Sequence, residues 1–285
     1  MYQAKEQGKD QYQVFDHSMY TQALKRLQLE NDLRRSIEKE EFELCYQPIV
    51  NISTGILAGF EALIRWNHPE QKMISPAEFI PIAEETGLII PLGKWIIKQA
   101  CYQLRQWKDQ FNENYDFVMM SINLSGKQFS DPNLMENIDE ILAQYQLSGS
   151  NIKLEITESI LMDNTEAATY TLENIRARDI QLSIDDFGTG YSSLSYLHRF
   201  PVNTVKIDRS FISRMKPNDD NVEIVKAIIT LAHILNMDVI AEGIENEAQL
   251  THLRSLECEY AQGYHFAKPL NVQDAETLML ECRTW

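Results

Sequence analysis

The feature that most constrains the fold is the alternation of short apolar segments with longer amphipathic ones. From residue 42 onward, eight apolar segments have the length of β-strands, and helical patterns separate most of them. The predicted strands cover residues 42–50, 57–66, 118–123, 152–157, 180–185, 204–208, 238–242 and 260–266. This order predicts an α/β fold, namely a (β/α)8 TIM-like barrel. A doubly wound open sheet is the alternative.

The first two predicted strands depart from this alternation. Only residues 51–55 lie between them, and five residues suit a hairpin loop but not a helical crossover. We therefore expect one antiparallel strand pair at the start of the barrel.

The amino-terminal region has a different pattern. Residues 1–16 are predicted to contain a short helix that stops at Gly8 and a brief strand over 12–15, which is too little chain to bury a core. Residues 17–41 are predicted to form a charged helix, as a linker, as an N-terminal capping helix of the following domain, or as both. The barrel domain is expected to cover residues 42–285.

Charge and composition exclude several classes of function. The chain has 26 Lys and Arg against 42 Asp and Glu, for a net charge of −16. Binding to DNA or RNA polymers over a broad face is therefore not expected, nor is contact with an anionic membrane surface. An anionic substrate would need a local positive charge, for which a bound divalent metal is the obvious candidate.

The compartment can be predicted from the cysteines and from the absence of long apolar runs. No two cysteines form a CxxC pair, and reduced thiols in the cytoplasm are the best interpretation. They are Cys45, Cys101, Cys258 and Cys282. No apolar run approaches the roughly 18 residues of a membrane span, and the polar start of the chain is not a signal peptide.

A polar side chain lies near the end of almost every predicted strand. These residues are Glu61, Asn123, Glu155, Asp185, Asp186, Lys206, Glu242 and Gln262. In a barrel they would converge at the carboxyl-terminal mouth, where active sites are built. A carboxylate within an apolar strand is costly to bury unless it is paired or bound to metal. The pattern therefore predicts an active site at this mouth.

The acidic and amide residues of this set offer only oxygen ligands, which suit Mg²⁺ or Mn²⁺. Asp185 and Asp186 could reach two ions roughly 3.5–4 Å apart that share a water nucleophile. A solvated turn before Gly188 is the alternative for this pair. The glycines Gly188 and Gly190 match neither a dinucleotide fingerprint nor a P-loop, and are predicted to lie in a loop over the site. The histidines lack metal-binding spacing.

Several motifs together resemble the EAL-domain family, whose members are cyclic di-GMP phosphodiesterases. The matching segments, in order, are EALIRW from Glu61, SINLS from Ser121, EITE from Glu155, DDFGTGYSSL from Asp185, VKID from Val205, AEGIE from Ala241 and QGY from Gln262. The resemblance runs from about Leu29 to the C-terminus. It implies a (β/α)8 barrel whose first strand is antiparallel.

The resemblance also implies roles for the metal site. Glu61, Asn123, Glu155 and Asp185 would bind the first ion. Asp185 would bridge to a second ion, which Asp186 would also bind. Glu242 would lie at the metal–water site as ligand or base. Lys206 would orient and polarise the attacking water, with Gln262 in support.

Further positions match motif residues of the family. Arg65 is implied to hold a substrate phosphate, and Asp208 is implied to contact substrate in a weaker role. Glu158 would anchor the loop that contains Gly188, Thr189 and Gly190, which in this family links the site to a dimer interface. Glu245 also matches a motif position, and its role is weaker.

Residues 1–16 resemble the last helix and strand of a GGDEF (diguanylate cyclase) domain without its signature loop. The chain is therefore expected to be a fragment of a GGDEF–EAL protein that cannot synthesise cyclic di-GMP alone. The parent protein could be membrane-anchored, which this sequence does not reveal.

The expected activity is metal-dependent hydrolysis of cyclic di-GMP to linear 5′-pGpG in bacterial second-messenger signalling, with two Mg²⁺ or Mn²⁺ ions and a cytoplasmic homodimer. The alternatives are a catalytically silent cyclic di-GMP receptor and a regulatory interaction domain. The intact Asp185, Asp186, Lys206 and Glu242 argue against the receptor.

Overall fold

The computed structural model describes residues 17–70, 72–111, 118–163, 165–189, 198–215 and 220–285. The predicted strand at 12–15, and with it the proposed GGDEF remnant at 1–16, lies outside the described residues.

Strands and helices alternate through most of the described chain. The strands are β1 (Phe42–Asn51), β2 (Leu57–His68), β3 (Lys72–Ile74), β4 (Met119–Asn123), β5 (Ile152–Thr157), β6 (Gln181–Phe187), β7 (Thr204–Ile207), β8 (Asp238–Glu242) and β9 (Tyr260–Gln262). The helices are α1 (His17–Lys39), α2 (Pro76–Thr86), α3 (Ile89–Phe111), α4 (Gly126–Phe129), α5 (Leu134–Tyr145), α6 (Glu158–Asp163), α7 (Thr165–Arg176), α8 (Arg209–Ser213), α9 (Asp220–Ile234), α10 (Glu247–Ser255) and α11 (Val272–Leu280).

Eight of the strands close into a barrel, which confirms the predicted (β/α)8 architecture. The order around the barrel is β1-β9-β8-β7-β6-β5-β4-β2, and pairing of β1 with β2 closes the ring. The open-sheet alternative is therefore wrong. Among the described residues, strand β3 pairs with β2 alone and lies outside the ring.

Strand β1 is antiparallel to both of its neighbours, β2 and β9, while the other barrel pairs are parallel. The expectation of a single antiparallel pair is corrected to two, because a reversed strand in a closed ring must pair on both edges. The hairpin turn is stabilised by Asn51, whose side-chain oxygen accepts a hydrogen bond from the Thr54 amide at 3.0 Å. Gly55 completes the turn with a φ of +68°.

One predicted strand ends earlier in the structure, and one observed strand was not predicted. The last strand ends at Gln262 and not at residue 266, because the chain turns at Gly263, whose carbonyl accepts hydrogen bonds from Phe266 and Ala267. A Cβ at Gly263 would lie 2.2 Å from the Ile244 amide nitrogen, so this close approach requires glycine. Strand β3 was not predicted, since three residues carry no readable periodicity.

The main core lies between the barrel and its helices. Trp107 of α3, for example, packs with ring-centroid distances of 4.9 Å to Tyr46 and 5.0 Å to Phe60. Helix α1 joins this core through Leu33, which is fully buried. Within the part of the chain that the structure describes, no helix has the length and apolar character needed to cross a membrane.

The inside of the barrel is unusually polar. Alternate residues of a strand face the same side, so the inward position of Glu155 on β5 is shared by Lys153. The neighbouring strands contribute Ser183 on β6 and Thr204 on β7, which are paired in register. Both are fully buried. Barrels of this class are usually filled by branched apolar side chains, and here a polar column leads to the mouth.

Candidate active site

A buried ammonium group lies at the centre of the carboxyl-terminal mouth. The Lys206 Nζ is 2.5 Å from Glu155 Oε2 and 2.6 Å from Glu242 Oε1. It is also 3.4 Å from Asp185 Oδ1 and 3.5 Å from Glu61 Oε2. Strands β2, β5, β6 and β8 thus bring four carboxylates to one lysine. We call this group the Lys206 cluster. The polar residues of these strands were predicted to converge at this mouth.

Two amides fix the Glu61 carboxylate. Asn123 Nδ2 donates to Glu61 Oε1 at 2.6 Å, and Gln262 Nε2 donates to Glu61 Oε2 at 2.7 Å. Gln262 Nε2 also donates to Gln47 Oε1 at 3.1 Å. Both predicted amide residues therefore lie in the site, and Gln47 was missed. Its signal was its register opposite Glu61 on the antiparallel strand β1.

A β-bulge places Asp185 and Asp186 together beside β7. Ile184 pairs with Val205 and Phe187 with Ile207, so the two aspartates lie opposite the single residue Lys206. Asp186 takes the left-handed conformation, with φ of +53°, which is uncommon for a non-glycine residue. Burial and the neighbouring Asp185 raise the pKa of Asp186.

Burial and the mutual charges of the Lys206 cluster shift the pKa values of its members. Burial is the largest influence on Glu155 and Glu242, and it raises their pKa values to about 8 and about 7 although the charge of Lys206 opposes it. Burial acts in the same direction on Glu61, but Lys206 and the two amide hydrogen bonds outweigh it and lower its pKa. Burial would lower the pKa of Lys206, but the surrounding carboxylates raise it well above the usual value.

The donor set fits a divalent cation. One lysine cannot neutralise four carboxylates, and burial makes the remaining negative charge costly. Glu155 Oε1 is buried and has no hydrogen-bond partner among the described residues. An oxygen-only set with an orphaned carboxylate oxygen suits a hard ion such as Mg²⁺ or Mn²⁺. In the described part of the chain the carboxylates contact the Lys206 ammonium, and no three acidic, His or Cys side chains already form a metal-ligating group.

A cavity of about 270 Å³ opens over the cluster. Besides Glu61, Asp185, Glu242 and Gln262, it is lined by Gln47, Leu63, Arg209, Gly243, Glu245, Tyr264 and Gly263. Arg209 and Tyr264 were missed as site residues. Arg209 follows the motif residue Asp208 directly, and Tyr264 ends the QGY motif. Arg209 gives this otherwise acidic cavity a guanidinium group, the type of side chain that binds phosphate.

Two predicted substrate-binding residues lie outside this lining. Arg65 donates from Nη1 to its neighbour's carbonyl, Ile64 O, at 2.8 Å. Asp208 is the N-cap of α8 and accepts a hydrogen bond from the Ser210 amide at 3.0 Å. Their contact with substrate stays a prediction.

The predicted loop-coupling residues are placed in part. Glu158 begins α6 and is buried, and neither carboxylate oxygen has a hydrogen-bond partner among the described residues. Gly188 has a φ of +92°, which favours glycine, and Thr189 donates from its hydroxyl to Asp186 O at 2.8 Å. Gly190 lies outside the described residues, so the proposed contact of Glu158 with the loop stays a prediction.

A closed α/β barrel whose clustered ionisable groups meet at the carboxyl-terminal mouth has the organisation of a barrel enzyme. The EAL domain matches residues 30–269 of this chain. The chain therefore belongs to the EAL-domain family.

Named relatives and a solved structure agree with this assignment. The chain is 42% identical over 270 residues to the bifunctional diguanylate cyclase/cyclic di-GMP phosphodiesterase MucR of Pseudomonas aeruginosa, covering 95% of this chain and 39% of MucR. It is 37% identical over 279 residues to the cyclic di-GMP phosphodiesterase NbdA of the same organism, covering 98% of this chain and 35% of NbdA. The chain thus spans well under half the length of these relatives.

A solved structure described as the PaMucR phosphodiesterase in complex with c-di-GMP has a TM-score of 0.83 and 40% identity, covering 87% of this chain and 99% of that one.

Proposed function

We propose that this chain hydrolyses one phosphodiester bond of cyclic di-GMP to give linear 5′-pGpG, with two Mg²⁺ or Mn²⁺ ions as cofactors. The observation that carries the proposal is the Lys206 cluster, in which four carboxylates from four strands surround one buried ammonium group at the mouth of the barrel. The names of MucR and NbdA support the choice of substrate.

The proposed roles follow the contacts within the cluster. Glu61, Asn123, Glu155, Asp185 and Asp186 would hold the ions. When bound, divalent ions supply positive charge that activates water and neutralises the substrate phosphate. Lys206 would keep its proton and present positive charge to the attacking water. Glu242, whose carboxylate is 2.6 Å from the Lys206 Nζ, would lie at the metal–water site as ligand or base.

The remaining residues of the site would bind and position the substrate. Gln262 would orient Glu61 through its 2.7 Å hydrogen bond. Arg65 and Asp208 would contact the nucleotide farther out, and Arg209 at the cavity wall would meet a phosphate. Glu158 would anchor the loop that contains Gly188, Thr189 and Gly190.

The proposal extends to the assembly and the compartment. We expect a homodimer, in which that loop transmits the state of the interface to the site, and light scattering would test it. The cytoplasm suits the four free thiols. The proposed domain organisation places a GGDEF remnant at 1–16, a linker or N-terminal helix at 17–41 and the barrel at 42–285.

The experiment is incubation with cyclic di-GMP in Mg²⁺ and separately in Mn²⁺, followed by chromatographic separation of the nucleotides. We expect a linear pGpG peak that disappears with chelator and falls at least 100-fold in Glu61→Ala, the order of effect of losing a group that organises the reacting charges. Glu43→Ala is the matched control, because Glu43 is an exposed glutamate on β1. If the chain binds cyclic di-GMP but forms no product in either metal, the phosphodiesterase proposal is wrong and the chain is a catalytically silent receptor.

A further inference from the structure

A second cavity, of about 410 Å³, opens at the opposite end of the barrel. Its lining includes residues at or near the beginnings of four strands, namely Leu57 of β2, Met119 of β4, Lys153 of β5 and Asp238 of β8. These positions define the amino-terminal mouth. The active-site cavity is instead lined by residues in the middle of β2 and late in β6 and β8. Within the part of the chain that the structure describes, the two openings share no lining residue.

Lys153 is the exceptional group in this cavity. It is only 6% exposed, and its Nζ donates to the neutral hydroxyl of Thr204 at 2.9 Å. No salt bridge to Lys153 within 4.0 Å occurs among the described residues. A buried ammonium group with only a neutral hydrogen-bond partner is costly. Glu155 and Asp238 act on this ammonium group electrostatically from beyond 4.0 Å. An anion placed in the cavity beside Nζ would add the direct charged contact that Lys153 lacks.

The rest of the lining limits which anion fits. Asp238 is exposed at the mouth, and its negative charge opposes entry of polyanions such as phosphate esters. The walls formed by Leu57, Met119 and Ile240 are apolar. The lining thus combines one buried cation, one acidic residue at the mouth, apolar walls and the neutral polar residues Asn51, Thr54, Ser121, Gln181 and Tyr260. A singly charged ligand with a short hydrocarbon chain matches this combination.

We propose that the amino-terminal mouth binds a small aliphatic monocarboxylate. Its carboxylate would accept hydrogen bonds from Lys153 Nζ and lie beside Thr204, and its chain would pack on Leu57, Met119 and Ile240. The cavity volume of about 410 Å³ lies within the range of small-molecule sites.

Hexanoate is the probe, titrated into the full chain by calorimetry and followed by saturation-transfer NMR, with chelator present so that no metal can bind it at the other mouth. We expect saturable binding to one site. Lys153→Met should weaken binding about ten-fold or more, since it removes a charge-assisted hydrogen bond. Lys98→Met, which removes an exposed lysine on α3, should leave the affinity unchanged.

A second variant tests the same site if Lys153→Met folds poorly. Asp238→Asn removes the exposed negative charge at the mouth and leaves Lys153 in place, so hexanoate should bind several-fold more tightly. The proposal is overturned if hexanoate does not bind the wild-type chain, or if folded Lys153→Met binds it equally well. It is also overturned if inorganic phosphate binds more tightly than hexanoate.

Discussion

At the scale of single residues, the stability of the acidic mouth depends on one ammonium group. Lys206 is fully buried and contacts four carboxylates. A buried charge of this kind is tolerated because Glu155 and Glu61 are buried beside it, and Asp185 and Glu242 are partly buried. The carboxylates nevertheless outnumber it, so part of the cluster is protonated near neutral pH unless a divalent ion is bound.

This imbalance predicts a pH dependence of stability without metal. The folded-state pKa values of Glu155 and Glu242, about 8 and about 7, lie above the ordinary value of 4.5. Between those limits the folded chain holds protons that the unfolded chain has lost, so this contribution is fully present below about pH 4.5 and is lost as the pH rises towards 8. Urea unfolding in chelator should show a falling free energy of unfolding over this window.

Two controls belong to that measurement. Glu155→Gln, which cannot ionise, should reduce the slope with pH. Added Mg²⁺ should flatten it, because the cation stabilises the ionised carboxylates. A free energy of unfolding that rises across the same window, with the slope unaffected by Glu155→Gln, would contradict the electrostatic account.

At the scale of elements, the β6 bulge positions Asp185 and Asp186 at the active site. It holds Asp186 at a φ of +53°, and glycine adopts that conformation without steric cost. Asp186→Gly should therefore leave stability equal or raise it by up to about 1 kcal/mol, while turnover of cyclic di-GMP falls because a carboxylate is lost.

Asp179→Gly provides the matched control for that prediction. Asp179 is also an exposed aspartate, with a φ of +59°. It lies between α7 and the beginning of β6, whereas Asp186 lies near the end of β6 beside Asp185. The control should match Asp186→Gly in thermal unfolding and keep full turnover. Equal turnover of cyclic di-GMP by both variants would show that the Asp186 carboxylate has no role in the active site.

The elements of the fold differ in how far the sequence predicts them. The strand periodicity and the five-residue loop predicted a barrel with an antiparallel β1–β2 pair, because hydrophobic pattern and loop length are local features. They left the open sheet as an alternative, since closure of the ring depends on pairing between distant strands. The β6 bulge, the early end of β9 at Gly263 and the central position of Lys206 depend on contacts between distant strands. Strand-end polarity therefore identified the residues of the cluster but not their arrangement.

At the scale of the whole molecule, α1 is packed as part of the folded unit. Leu33 and Ser36 are fully buried, and Asp32 Oδ2 lies 3.3 Å from His68 Nε2 at the end of β2. The match to the EAL domain begins at residue 30, within this helix. These contacts favour a capping helix over a detached linker.

Truncation tests that interpretation. Removing residues 1–16 should leave the free energy of unfolding of the barrel unchanged. Removing residues 1–41 should lower the free energy of unfolding by about 2 to 5 kcal/mol or more. Losing one buried leucine side chain alone usually costs about that much. Denaturant unfolding followed by tryptophan fluorescence would measure both. Equal stability of the two truncations would show that α1 is a detachable linker.

The proposed two-ion site is tested most directly by anomalous diffraction from crystals of the chain grown with Mn²⁺ and cyclic di-GMP. We expect two anomalous peaks at the carboxyl-terminal mouth, within ligand distance of Glu61, Asn123, Glu155, Asp185 and Asp186, with the nucleotide in the adjoining cavity. Nucleotide bound at this mouth without a metal peak, or metal peaks only elsewhere on the barrel, would contradict it.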